Sequence, residues 1–229
     1  MTRDGTHVKK SLKTLFGFKA SEIREVCDAS FQDFKELMVD LKDTMNDYEE
    51  QGVAFNAFIY YAGHGLQKTM TYAATNNNKD YPLEKMLRTI AAGRKKTHIA
   101  AVFDCCRAEM RNRGVTGGSG ADSCEEEVEG QTNLTITFAC PPSDTTPAKS
   151  TISVQYFEQL KSRVEDATGI INVQNALIGW RNTDKKAETI FFSPNAMKLK
   201  LVGHEPKNVP AATATAGVAS GAELDALRA

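Results

Sequence analysis

The chain has 229 residues, of which 41% are hydrophobic and 25% are charged, and its 28 basic side chains nearly balance its 29 acidic ones. A chain of this length buries roughly 70% of its unfolded surface, so its core needs neither disulfides nor a structural metal. The balanced charge argues against a nucleic acid or an anionic membrane as partner, and the lack of about 18 consecutive apolar residues argues against a transmembrane helix.

Cysteine usage predicts the compartment. The five cysteines are spread unevenly, at Cys27, Cys105, Cys106, Cys124 and Cys140. An odd number of cysteines, without the apolar run of a signal peptide at the N-terminus, is typical of reduced thiols and predicts a cytoplasmic protein. No set of Cys and His has the spacing of a zinc site, so we expect no metal and no other cofactor.

Apolar periodicity and glycines predict the elements of the first part of the chain. Steps of three and four predict a helix over His7–Phe18, and a second helix that Ser30 caps and Gly52 ends. The segment Ile23–Cys27 between them is predicted as a short strand. The nearly continuous apolar run Phe55–Ala62 predicts a buried parallel strand, which leads into Gly-His-Gly.

The same signals predict seven further elements. In chain order they are a strand, a helix, two strands, two helices and a final strand, over Met70–Ala74, Pro82–Gly93, His98–Phe103, Leu134–Ala139, Ile152–Val164, Val173–Trp180 and Ala187–Phe192. Residues 110–131 are rich in glycine and acidic residues and are predicted as a long loop. The Ala-, Thr- and Pro-rich residues 203–229 are predicted to be a disordered tail.

Helices thus alternate with buried strands, which predicts an α/β fold with a mainly parallel sheet. Ligand sites in such sheets lie beyond the carboxyl ends of the strands. His64 and Cys106 each follow the end of a predicted strand. We therefore expect both residues at one rim of the sheet, although 42 residues separate them along the chain.

A cysteine and a histidine at one rim are the parts of a nucleophilic dyad. A thiol attacks as the thiolate, and a neighbouring histidine is a common base for it. The backbone N–H groups of Gly65 and Cys106 are the predicted donors to an oxyanion. Taken singly, a histidine at a strand end or a Cys-Cys pair is more often structural than catalytic. The conjunction of both motifs at successive strand ends favours catalysis.

In these two motifs the sequence resembles the caspase-like cysteine peptidases of clan CD, family C14, and among them the paracaspases and metacaspases most. Phe58–Gly65 is similar to the histidine motif of that family, and Val102–Arg107 to its Asp-x-Cys motif. The resemblance, over roughly residues 4–193, implies a three-layer caspase-haemoglobinase-like α/β fold whose mainly parallel sheet is flanked by helices. The family places an interior strand before the position of Asp4, so we expect either that the start of this chain is truncated or that the fold lacks this strand.

The resemblance also assigns roles to single residues. It makes Cys106 the nucleophile and leaves Cys105 at the variable position of the motif, and strand alternation agrees, since neighbours face opposite sides. It implies a pocket lined by Asp104, Asp144 and Asp4, whose carboxylates would bind a guanidinium or an ammonium group. The alternative for each aspartate is a solvated loop residue.

Two functions stay open at this stage. The first is a cysteine endopeptidase that cuts protein or peptide substrates after arginine or lysine; the second is an inactive caspase-like scaffold or interaction domain. The intact pair of His64 and Cys106 favours the first, and the missing strand favours the second. A doubly wound nucleotide-binding module is disfavoured, because its glycine motifs do not occur. No nucleic-acid or membrane partner is expected, and a homodimer stays open.

The resemblance divides the chain into a peptidase domain over residues 1–202 and the tail. The domain is predicted to have a large-subunit-like part, a linker loop and a small-subunit-like part, at residues 4–110, 111–131 and 132–202. Because exposed polar loops are cut readily, Arg111 and Arg113 in the linker are the predicted sites of self-cleavage, the alternative being an inert loop. Metacaspases often need calcium, but the acidic residues 125–129 are predicted as a solvated loop rather than a metal site.

Overall fold

A computed structural model of the chain describes residues 3–77, 79–109, 132–142, 152–164, 168–178, 180, 187–192 and 197–203. The helices are α1 (Arg3–Phe16), α2 (Phe31–Glu50), α3 (Leu83–Ala91), α4 (Ile152–Lys161) and α5 (Val173–Leu177), with a short 3-10 helix at Ala20–Glu22. The strands are β1 (Phe55–Gly63), β2 (Gly65–Gln67), β3 (Thr71–Ala74), β4 (Asp80–Tyr81), β5 (Thr97–Cys105), β6 (Ala108–Glu109), β7 (Leu134–Phe138), β8 (Ile170–Asn172), β9 (Glu188–Phe191) and β10 (Lys198–Lys200).

The central sheet has the strand order β1-β5-β7-β9. β1, β5 and β7 run parallel, and β9 runs antiparallel to β7. Apolar side chains of α2 and α3 pack against one face of this sheet, and those of α1, α4 and α5 pack against the other. The described residues thus form a three-layer α/β fold with a mainly parallel sheet, as the sequence predicts.

The second helix shows how local sequence defines an element. Ser30 caps α2: its side chain accepts a hydrogen bond from the Asp33 N–H, and the Asp33 carboxylate accepts one from the Ser30 N–H. This reciprocal pair satisfies two backbone donors that a helix start leaves unpaired. Phe34, Met38 and Met45 then form the buried stripe that packs against the sheet.

The two long strands differ in burial. All residues of β5 except His98 are buried, whereas Ala57 is the one buried residue of β1. Within the described part of the chain β1 pairs with β5 alone, so β1 lies at the edge of the sheet.

Two smaller sheets accompany the central one. β4, β3, β2 and β6 form a second sheet in that order, and β8 pairs with β10. Of these strands the sequence predicted β3 alone, because strands of two or three residues are too short to show a period of two.

The predicted strand at Ile23–Cys27 is wrong. Ile23 has an extended backbone, with φ −108° and ψ 112°, but this segment pairs with no strand among the described residues. Side chains hold it instead: Glu25 pairs with Lys9 of α1 at 3.4 Å, and Arg24 pairs with Asp40 of α2. An apolar segment becomes a strand only where a neighbouring strand satisfies its backbone groups.

Several helix boundaries differ from the prediction, and three of them differ by three residues or more. α1 begins at Arg3 rather than His7, α4 ends at Lys161 rather than Val164, and α5 ends at Leu177 rather than Trp180. Such shifts are common, because the last turn of a helix carries little periodic signal. The predicted linker at residues 111–131 and residues 204–229 of the predicted tail lie outside the described residues. Within the described ranges, no helix combines the length and the apolar character needed to cross a bilayer.

Candidate active site

The histidine and cysteine motifs lie side by side at the carboxyl ends of β1 and β5. These strands pair in parallel as far as Gly63 opposite Cys105, and beyond a short break β2 and β6 also pair in parallel. Paired residues are 42 positions apart along the chain both before and after the break. His64 and Cys106 have the same separation, so they lie opposite each other in the break. Neighbouring strands are about 4.8 Å apart, which is within the reach of two side chains.

Gly65 brings the two loops into contact. It is buried, and a Cβ atom at this position would overlap the carbonyl oxygen of Cys106 and lie 2.6 Å from the Cys105 Sγ. The glycine is therefore required for the close packing of the histidine loop against the cysteine loop. The sequence predicted a different role for Gly65, that of a backbone donor to an oxyanion. The oxyanion role of the Gly65 and Cys106 N–H groups stays a prediction.

The backbone of His64 is fixed, while the residue itself is exposed. Its carbonyl oxygen accepts hydrogen bonds from the Ala74 N–H at 2.9 Å and from the Tyr61 hydroxyl at 2.6 Å. Burial raises the pKa of Tyr61, and the nearby Cys105 raises it further, so the phenol stays protonated as a donor. The histidine loop is thus held by its main chain.

The two adjacent cysteines have different environments. Cys105 is 1% exposed and packs in the core, whereas Cys106 is half-buried. Burial raises the pKa of the Cys105 thiol far above its ordinary value, and the neighbouring Cys140 adds to the shift, so Cys105 stays a protonated thiol. Accessibility therefore favours Cys106 as the nucleophile, which is the residue that the sequence motif indicated.

Asp104 lies on the sheet face opposite to Cys105. It is 7% exposed, and its Oδ2 accepts a hydrogen bond from the Tyr60 hydroxyl at 2.9 Å. Neither Tyr60 nor Tyr61 was predicted from the sequence as part of the site. A signal was present, because tyrosines inside an apolar strand bury their rings and must find partners for their hydroxyls.

The structure brings together His64, Gly65, Asp104 and Cys106. For the other predicted site residues it describes no side chain. Asp4 lies in the first turn of α1, and its side chain is not among those that the structure describes. The remaining predicted residues, Asp144, Arg111 and Arg113, lie outside the described residues.

No metal site is assigned to the part of the chain that the structure describes. Its His, Cys, Asp and Glu side chains form no group of three or more that could hold an ion. Residues 125–129, the acidic stretch of the predicted linker, lie outside the described residues. Calcium dependence therefore stays a prediction without a site.

Comparisons with known proteins show the family and the fold of the chain. A family model described as the caspase domain, of peptidase family C14, matches residues 1–191. Among solved structures the chain is similar to a crystal structure of caspase-1 from Spodoptera frugiperda, with a TM-score of 0.51 and 15% identity over 84% of this chain and 78% of that chain. No curated protein matches the chain.

Proposed function

The chain belongs to the caspase-domain family of cysteine peptidases, and we propose that it is an endopeptidase in which His64 and Cys106 form the catalytic dyad. The observation that carries the proposal is the register at the rim of the sheet. The constant offset of 42 residues on both sides of the break supports a pairing of His64 with Cys106. The contact of Gly65 with the cysteine loop supports the same pairing.

The proposed mechanism uses the two side chains in succession. His64 takes the proton of the Cys106 thiol, and the thiolate attacks the carbonyl carbon of the scissile bond. The N–H groups of Gly65 and Cys106 stabilise the oxyanion of the tetrahedral intermediate. The His64 imidazolium then protonates the leaving amine, which leaves a thioester on Cys106. A water molecule, deprotonated by His64, hydrolyses this thioester and restores the thiol.

We propose that the enzyme cuts after arginine or lysine, and the buried Asp104 supports this. A carboxylate with 7% exposure has lost most of its hydration, so a cationic side chain beside it gains a charge-assisted hydrogen bond. An aspartate side chain of a substrate would instead bring a second negative charge to the same place. Asp144 and Asp4 are proposed as further carboxylates of this pocket.

Processing of the linker is a further part of the proposal. Arg111 and Arg113 follow the nucleophile closely and have the side chain that the pocket should accept. Both fragments would stay associated, because β7 and β9 belong to the same sheet as β5. Purified protein should develop new N-termini at Asn112 or Gly114, and the Cys106→Ala protein should not. Identical fragments from both proteins would mean a contaminating protease, and an active but uncut enzyme would mean that processing is not needed.

The alternative function, an inactive scaffold, is favoured by the half-exposed apolar strand β1 at the sheet edge. A library of fluorogenic peptides that differ at the residue before the scissile bond separates the two functions. We expect hydrolysis after arginine and lysine, none after aspartate, and none by the Cys106→Ala protein. A preference for acidic residues would refute the specificity. Absence of hydrolysis of every peptide would favour the scaffold.

A further inference from the structure

Pro141 cannot supply one of the backbone hydrogen bonds expected between β5 and the chain of β7. These strands pair in parallel, and just past the end of β7 the Ala139 N–H still donates to the Phe103 carbonyl at 3.0 Å. In a parallel pair alternate residues of a strand bond to the same neighbour, so the next carbonyl of β5 that faces this way is that of Cys105. Its expected donor is residue 141, two after Ala139, and a proline has no N–H.

The side chain of Cys140 supplies a hydrogen bond in its place. The Cys140 Sγ donates to the Cys105 carbonyl oxygen at 3.4 Å. A thiol is a weak donor, but Cys105 is 1% exposed and Cys140 is 0% exposed, so solvent does not compete and the bond is stronger than it would be in water. Loss of this donor from a buried carbonyl would be costly. Cys140 thus completes the ladder at the carboxyl end of β5.

The carbonyl that Cys140 holds belongs to the same peptide group as the N–H of the candidate nucleophile. A trans peptide is planar, and its C=O and N–H point in opposite directions. Because the Cys105 carbonyl points toward the chain of β7, the Cys106 N–H points to the other side, where the histidine loop follows β1. This N–H is one of the two proposed oxyanion donors. A contact on the β7 side therefore fixes the direction of a donor on the side of His64.

We propose that Cys140 is a positioning residue, whose thiol orients the oxyanion-binding N–H of Cys106 through the Cys105 carbonyl. The proposal rests on the proposed peptidase function for its kinetic tests. The oxyanion develops in the transition state and is absent from the bound substrate, so a misdirected N–H should lower kcat and leave KM nearly unchanged. A role in packing alone would not depend on a hydrogen-bond donor.

The first test compares a variant that keeps a donor at position 140 with one that does not. Cys140→Ser can still donate through its hydroxyl, whereas Cys140→Ala cannot. With kcat expressed per active site titrated by a covalent inhibitor, Cys140→Ala should lower kcat at least tenfold and change KM less than threefold. Cys140→Ser should keep at least a third of kcat. Equal kcat of the Cys140→Ala and wild-type enzymes would overturn the proposal, and so would equal losses in the two variants.

The two adjacent prolines give a rescue experiment with a matched control. Pro141→Ala restores the N–H that faces the Cys105 carbonyl, while Pro142→Ala adds one at the next residue, where the alternation of the ladder turns it away. Cys140→Ala/Pro141→Ala should have a kcat at least fivefold above that of Cys140→Ala, and Cys140→Ala/Pro142→Ala should stay within twofold of it. If Cys140→Ala fails to fold, only the Pro141→Ala change should restore folded, active protein. Equal behaviour of the two double variants, whether active, inactive or unfolded, would overturn the proposal.

A reversible covalent inhibitor reports on the oxyanion donor directly. The Cys106 sulfur bonds to the carbonyl carbon of an arginyl peptide aldehyde, the C=O π bond breaks, and the thiol proton passes to His64, so that the aldehyde oxygen becomes an oxyanion. The same peptide with a terminal carboxamide does not undergo this addition. Cys140→Ala should weaken binding of the aldehyde at least fivefold and binding of the carboxamide less than twofold. Equal weakening of both would show that Cys140 acts on the pocket and would contradict the proposal.

A fourth measurement does not depend on peptidase activity. The midpoint of urea unfolding should fall in Cys140→Ala. It should recover at least half of this loss in Cys140→Ala/Pro141→Ala but not in Cys140→Ala/Pro142→Ala. Equal midpoints of the two double variants would overturn the replacement of the backbone donor by the thiol. Wild-type protein that hydrolyses no peptide but shows the selective recovery would refute the proposed function and leave the hydrogen bond from Cys140 to Cys105 standing.

Discussion

The two loops that meet at the candidate site are held in place by different means. His64 is exposed and has a glycine on each side, and hydrogen bonds to its main-chain carbonyl fix the loop. The loop of Cys106 is flanked by two buried side chains, Cys105 in the core and Arg107, which pairs with Glu188 of β9 at 3.0 Å. A larger side chain in place of a glycine should therefore disturb the histidine loop. A chemical change of Cys105 or Arg107 should disturb the cysteine loop.

The largest difference is expected within the cysteine loop. Cys106→Ala should remove all peptidase activity, whereas Cys105→Ala should keep it and lower the free energy of unfolding by about 1 kcal/mol, because it shortens a buried side chain. Peptide hydrolysis and urea unfolding of the two variants measure both effects. Full activity of Cys106→Ala together with loss in Cys105→Ala would reverse the assignment.

His64→Ala is the corresponding change in the histidine loop and should lose a factor similar to that of Cys106→Ala. Residues that act as one catalytic unit are not additive. The double variant should therefore be no slower than either single one, and a much slower double variant would contradict a dyad.

The next largest effect is expected at Gly65. Gly65→Ala should lower kcat/KM about 100-fold, because its Cβ would push the Cys106 carbonyl and misplace the thiol. Gly63→Ala is the matched control: its Cβ would meet the Tyr61 hydroxyl at 2.9 Å, the far end of a side chain that can shift. Its loss should be at least tenfold smaller. Equal losses in the two variants would mean that contact between the loops is not what Gly65 provides.

Asp104 tests the charge of the cysteine loop. Asp104→Asn should lower kcat/KM for arginyl peptides about 30-fold, or about 2 kcal/mol, because it removes one partner of a desolvated charge pair. Tyr60→Phe removes only the hydroxyl that donates to Asp104, and it should cost less. Unchanged kcat/KM of Asp104→Asn for arginyl peptides would place the basic-residue pocket elsewhere.

The smallest effect is expected at Tyr61, which anchors the histidine loop through its hydroxyl. Tyr61→Phe should lower kcat about fivefold, since one hydrogen bond contributes about 1 kcal/mol and the Ala74 N–H still holds the His64 carbonyl. Steady-state kinetics of the Tyr61→Phe and wild-type enzymes measure this loss, which should appear in kcat at an unchanged KM. A loss as large as that of Gly65→Ala would show that the hydroxyl, and not the glycine, determines the position of the loop.

Much of the architecture follows from the sequence, for a physical reason. The strands β1, β5 and β7 are short segments rich in apolar residues, and the helices α2 and α3 are long enough to show apolar periodicity. Ile23–Cys27 shows the limit of such patterns. Its apolar residues predict a strand, but strand formation depends on a partner, and a local sequence does not contain one.

The site was predictable in its residue types but not in its geometry. The motifs indicated His64 and Cys106, whereas the register that places them opposite each other depends on how β1 and β5 pair. Position 65 also depends on the folded geometry: it needs a glycine because the cysteine loop packs against it. Arg107 and Glu188 are 81 residues apart, so no local pattern joins them.

The central claim is that Cys106 is a nucleophile that His64 activates beside a pocket for basic residues. An acyloxymethyl ketone carrying a terminal arginine tests all three parts at once, with the modified residue mapped by mass spectrometry. We expect a covalent adduct on Cys106 in the wild-type protein, far slower labelling in His64→Ala, and no labelling by the aspartyl analogue. Labelling of Cys105, or equal labelling by the aspartyl analogue, would contradict it.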